Sequence, residues 1–199
     1  MNQYRNTCYS CFRPSWECYC AEINSFHSRP QFVFLTHPKE FRKAINTGKM
    51  AHQCLENSKL FVGTDFSEHQ GLQEIIDRGK TYILFPGAES QTLAHDCQEK
   101  FRDASFIVLD GTWSTAKRIF KLSKNLHHLP QVSFSEEFIS QYSIRKQPKP
   151  GCLSSIETVV KVLEILESGK PEDRRGLLNI FQSMVKKQID YERNAGSQP

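Results

Sequence analysis

The chain lacks several things, and each absence is informative. No apolar run in its 199 residues approaches the roughly 20 that a membrane-spanning helix needs, so no span is predicted. The opening residues, MNQYRNTCYSCFRP, are polar and cysteine-containing and do not read as a secretory signal, which leaves a cytoplasmic protein as the expectation. Neither GxGxxG nor GxxxxGK[ST] occurs, and this argues against a standard dinucleotide fold and a P-loop. There is no internal repeat and no low-complexity tract. A strong charge of one sign is missing too. Lys+Arg total 26 against 22 for Asp+Glu, giving +4, which permits an acidic partner without requiring one. Charged residues make up 24% and mean hydropathy is -0.53, as expected of a water-soluble chain. The length suits one sizeable core with a small appendage rather than two full domains, and nothing sets an oligomeric state.

Cysteine is what the chain does have. There are seven, an odd number, and four of them lie in the first twenty residues as Cys8-x2-Cys11-x6-Cys18-x-Cys20. In a reducing compartment such clustering favours metal ligation over disulfides. Four thiolates suit tetrahedral zinc and would close its coordination sphere, making the metal structural. Free thiols or a redox pair are the alternatives. In an extended strand Cys18 and Cys20 would sit roughly 7 Å apart at Cα, so the chain must bend for both to reach one ion. Cys54, Cys97 and Cys152 are scattered and read as ordinary core or surface residues. Residues 1–28 are therefore expected to form a small zinc-binding element, with 29–199 as the main domain.

From residue 30 to about 135 short apolar runs alternate with helix-like segments. The runs are Phe32–Leu35, Leu60–Val62, Tyr82–Phe85 and Phe106–Leu109. Continuous apolar character marks strands covered on both faces, and the segments 38–55, 68–78 and 89–102 are long enough for crossover helices. The fold class is α/β, a mostly parallel sheet flanked by helices. After a polar, proline-containing stretch (140–151), Ser154 or Ser155 would cap a helix with the stripe Ile156, Val159, Val160, Leu163 and Leu166. Gly169 and Pro171 punctuate it, and a last helix carries Leu177, Leu178, Phe181, Met184, Val185 and Ile189.

Ligands of a parallel sheet gather beyond the carboxyl ends of its strands. Three stretches are expected to meet there: Thr36-His37, "LFPG" (84–87) and "LDGTW" (109–113). Asp110 is a candidate general base or a helix cap. Trp113 is a stacking surface or a half-buried core residue. Lys117, Arg118, Lys121 and Lys124 fall along one side of a helix, as either a solvated face or phosphate contacts. The same two readings hold for Lys39, Arg42 and Lys43, and for Arg145, Lys146 and Lys149. His37 reads more readily as structural than as a catalyst. Gly48 weakens the helix after Thr47 by about 1 kcal/mol.

Taken together these pieces resemble the DTW-domain family, whose Asp-x-Thr-Trp signature is Asp110-Gly111-Thr112-Trp113 here. The resemblance includes the cysteine cluster followed by Arg13-Pro14, "LTHPKEFRKAINTGKMA" (35–51), "YSIRKQP" (142–148) and "LSSIETV" (153–159). It implies a tRNA-uridine aminocarboxypropyltransferase of SPOUT-like fold with a C-terminal trefoil knot, using S-adenosylmethionine as co-substrate. By that analogy Asp110 would take the proton from uridine N3, with Thr112 and Trp113 beside it. Phe85, Pro86, Gly87, Leu109, Gly111, Arg145, Leu153, Ser154, Ser155 and Glu157 would hold the co-substrate. Lys39, Arg42, Lys117, Arg118 and Lys121 would contact tRNA, together with the zinc element. An S-adenosylmethionine-dependent RNA methyltransferase and a non-catalytic zinc-containing RNA-binding module are the rival readings.

Overall fold

The computed structural model describes residues 6–87, 89–134 and 153–195. Six strands form one sheet: β1 (Gln31–Thr36), β2 (Lys59–Val62), β3 (Thr81–Leu84), β4 (Gln91–Leu93), β5 (Ser105–Asp110) and β6 (Gln131–Phe134). Their order is β2-β1-β5-β3-β6-β4 and every pairing is parallel. The four expected apolar runs are β1, β2, β3 and β5. β1 and β5 are neighbours in register, with Thr36 opposite Asp110, so both strands end at one level.

Helices cover both faces, which is why these strands are apolar on both sides. Phe32, Phe34, Phe106 and Val108 point to one face, under α2 (Thr47–Cys54), α6 (Ser155–Ile165) and α7 (Pro171–Ala195). Val33, Leu35, Ile83 and Ile107 point to the other, against Leu72 and Ile75 of α3 (Gln70–Asp77) and Ile119 of α5 (Trp113–Leu122). Each such side chain stabilises the fold by roughly 1.5–3 kcal/mol through its removal from water.

Two expected helices divide. The segment 38–55 becomes α1 (Pro38–Phe41) and α2, because Asn46 leaves helical geometry and its side chain caps α2 by accepting from the Lys49 N–H. The segment 89–102 becomes β4 and the short α4 (Gln98–Phe101). The C-terminal helices form as the sequence predicts. Ser154 is the N-cap of α6, and its capping box is closed by Glu157. Gly169 takes a left-handed φ of 72° before α7 starts at Pro171.

The cysteine-rich stretch packs on the main core. Cys11, Tyr19 and Phe26 share the apolar cluster of α2, α6 and α7, and Tyr19 donates to Gln53 Oε1 of α2 at 3.2 Å. Among the described residues no helix is long and apolar enough to cross a membrane. They do not show the C-terminal knot. The stretch 142–148, with Arg145, lies outside the described residues.

Candidate active site

The end of β5 brings Asp110 to the level where β1, α2 and α6 converge. The residue is 3% exposed and its carboxylate faces inward. Oδ2 accepts from Thr36 Oγ1 at 3.1 Å and Asn46 Nδ2 at 2.8 Å. Oδ1 accepts from the Gly48 N–H at 3.1 Å and Ser155 Oγ at 2.7 Å. Four donors from three parts of the chain, the end of β1 and the starts of α2 and α6, thus surround one negative charge. Both oxygens of the expected general base are thus engaged within the protein, and a nucleobase would reach them by displacing donors already in place. Asp110 does cap a helix, but not the one that follows it. It satisfies an open N–H at the start of α2, where the helix dipole also favours an anion.

Gly48 makes this possible. A Cβ there would lie 2.3 Å from Asp110 Cγ, so glycine lets the carboxylate sit on the helix end in its present position. The helix-weakening residue of the sequence is the one that makes room for this carboxylate.

Thr112, expected beside the chemistry, is the N-cap of α5 and accepts from the Thr115 N–H at 3.2 Å. Trp113 is half-buried and its indole stacks on Phe85 at 5.5 Å and 11°, with Lys117 Nζ 5.4 Å from the ring centre. Phe85 stacks in turn on Phe120 at 4.9 Å. The turns after β3 and β5 are therefore joined by an aromatic ladder. Pro86 and Gly87 are exposed at its edge, Leu109 is half-buried, and Gly111 forms the turn after Asp110. A Cβ on Gly111 would lie 2.4 Å from Thr115 Oγ1 and 3.2 Å from Glu40 Cγ, which explains the absence of a side chain. Leu153, Ser154 and Ser155 complete the cluster through the Ser155–Asp110 bond, while Glu157 Oε2 accepts from Ser154 N and Oγ at 2.8 and 2.6 Å. Glu157 thus orients a neighbour.

Sequence reasoning missed Thr36's and Asn46's bonds to Asp110, and it missed Glu40. Only Asn46-Thr47-Gly48, a helix-start signature, hinted at the arrangement.

The four N-terminal thiols pass a fit test for zinc. Their sulfurs all lie within 4.8 Å of one another, and the Cys8–Cys20 and Cys11–Cys18 pairs are each 3.8 Å apart. A tetrahedron with Zn–S near 2.3 Å has edges of about 3.8 Å. The bend that Cys18 and Cys20 require is supplied by Tyr19, at φ -106° and ψ 0°. The Cys11 and Ser10 N–H groups hold the Cys8 thiol down at about 6, whereas burial pushes Cys20 up to about 12 and Cys11 up as well. A divalent cation is what would let all four ionise together.

Lys39, Arg42, Lys117, Arg118 and Lys121 are all exposed, and none forms an ion pair with another described residue. Lys39 lies on α1, Arg42 caps its C-terminus and the other three lie on α5; these helices follow the adjacent strands β1 and β5.

The DTW domain profile matches residues 5–189. The chain belongs to the DTW domain family. It is 36% identical over 193 residues to the tRNA-uridine aminocarboxypropyltransferase 2 of Drosophila melanogaster, covering 94% of this chain and 76% of the fly protein. The protein of the same name from Macaca fascicularis is 34% identical over 94% of this chain and 65% of its own length. The tRNA-uridine aminocarboxypropyltransferase A of Arabidopsis thaliana is 25% identical over 94% of this chain and 82% of its own. No solved structure matches. In this DTW domain the signature residues divide their work: Asp110 fastens α2 and the start of α6, Thr112 starts α5, and Trp113 braces the turn after β3.

Proposed function

We propose that this DTW protein transfers the 3-amino-3-carboxypropyl group of S-adenosylmethionine to N3 of a tRNA uridine. The N3–Cγ bond forms, the Cγ–S bond breaks, 5′-methylthioadenosine leaves and one proton is released from N3. The sulfonium is already a good leaving group, so alignment is what the protein must supply, with the reacting atoms held at roughly 3–3.5 Å.

The observation that carries this reading is the family match over residues 5–189, together with the meeting of Thr36, Asn46, Gly48, Asp110 and Ser155 at the strand ends. Relatives bearing the transferase name over 94% of the chain support it. The glycine turn after Asp110, the Phe85–Trp113 stack and the Leu153–Ser155 start of α6 are the proposed walls of the co-substrate site. Asp110 is a positioning residue that holds them in register. Phe85 and Trp113 offer the apolar surface on which a base or adenine would rest. Lys39, Arg42, Lys117, Arg118 and Lys121 would take tRNA phosphates. Zinc would be held by Cys8, Cys11, Cys18 and Cys20 as a structural ion, with no part in the transfer.

The test is to incubate the purified protein with S-adenosylmethionine and unmodified tRNA, then weigh the nucleosides and the small-molecule product. Aminocarboxypropyluridine with methylthioadenosine is the expected result. Methylated uridine with S-adenosylhomocysteine would replace this reading with a methyltransferase, and unchanged tRNA that still binds would point to a binding module.

A further inference from the structure

Three carboxylates belong to the strand-end cluster, and they are not equivalent. Asp110 already accepts from four donors within the protein. Glu157 is engaged by the capping box of α6. Glu40 is different. It projects from α1 toward the Gly111 turn, where its Cγ would lie 3.2 Å from a Cβ at position 111. Both of its oxygens face a single ammonium, Lys43 Nζ, at 2.9 and 2.8 Å. The carboxylate side chain is only 12% exposed, while the lysine that meets it is 52% exposed.

The physical consequence is specific. Thr115 Oγ1 and the Glu40 side chain close over the Gly111 turn, so a ligand at the mouth of that turn meets Glu40, and the present partner of Glu40 is a flexible ammonium that water can take back. The carboxylate itself is shielded and fixed on a helix, so it gains most from a cation delivered in the right place. Resting on the transferase reading above, we propose that Glu40 receives the α-ammonium of the aminocarboxypropyl group, displacing Lys43. Glu40 would thereby select a substrate arm that ends in an amino acid, and it would turn the γ-carbon rather than the methyl toward the nucleophile. The released lysine would be free for the arm's carboxylate or a nearby phosphate.

Calorimetric titration of the full chain with S-adenosylmethionine and with 5′-methylthioadenosine separates the possibilities, because the second ligand lacks the amino-acid arm. In Glu40→Gln the affinity for S-adenosylmethionine should fall roughly tenfold or more, with that for methylthioadenosine within about twofold of wild type. Lys43→Met, which removes the competitor, should tighten S-adenosylmethionine several-fold and leave methylthioadenosine alone. Equal losses for both ligands in Glu40→Gln, or no loss for either, would overturn the proposal while leaving the transferase assignment standing. Wild-type protein that binds neither ligand would sink the transferase assignment itself, and the role of Glu40 with it.

Discussion

Asp110 places a full charge where water barely reaches, and four hydrogen-bond donors make that tolerable. An ionised carboxylate has acceptor sites for all of them, whereas its amide has one acceptor oxygen and two N–H groups of its own. Asp110→Asn should therefore leave buried donors facing donors and cost about 1–3 kcal/mol of stability. Gly48→Ala should do comparable damage for the complementary reason. Its methyl would overlap a carboxylate that has nowhere to go, although alanine is the better helix former by about 1 kcal/mol. Urea unfolding followed by tryptophan fluorescence measures both. If Asp110→Asn lost turnover with an unshifted unfolding midpoint, the proton-acceptor role would return.

At the scale of elements, the cysteine loop and α2 form one mechanical unit. Lys49 of α2 is buried, with its ammonium 3.9 Å from the ring centre of Phe12 in the loop and 5.4 Å from that of Phe41 on α1. Burial lowers its pKa, against the pull of the Cys11 thiol and Asp110. Phe12 holds a φ of 61°, a conformation a bulky residue keeps only when its surroundings enforce it. The start of α2 is also what holds Asp110, so removing a metal from the loop should reach the site through Lys49. One zinc per chain is expected. Its chelation should lower the melting temperature by roughly 4–8 °C, the equivalent of about 2 kcal/mol in a domain of this size, and should speed amide exchange at Gly48. A metal-free protein with unchanged melting would leave the loop as a cluster of plain thiols. Much of this level was legible in the sequence, because β1, β2, β3 and β5 are unbroken apolar runs and Ser154 with Glu157 is a local signature. β4 and β6 escaped because Gln91–Leu93 and Gln131–Phe134 are short and half polar. The role of Asp110 escaped for another reason: its partners stand 74, 64, 62 and 45 residues away, beyond the reach of any periodicity.

At the scale of the molecule, a net charge of +4 says little until its placement is known. β1 and β5 are adjacent and end together, so the helices that follow them flank the Asp110 turn. Lys39 stands on α1 and Arg42 at its C-terminal cap, Lys117, Arg118 and Lys121 on α5, all exposed. The amino end of the sheet is different. There a cavity of about 560 Å³ is lined by Arg29 and Arg102 but also by Asp103 and Glu167, and Arg29 donates to Asp103 at 3.0 Å. Cations already paired there have little to offer a polyanion. Replacing Lys117 and Arg118 by alanine should weaken tRNA binding and flatten the plot of log affinity against log salt by about 1.4–1.8, the release of counterions from two phosphates. Replacing Arg29 and Arg102 removes the same formal charge and should leave that slope nearly unchanged. Equal flattening by the two pairs would mean that tRNA senses only the summed charge, and the strand-end cluster would then have no privileged approach.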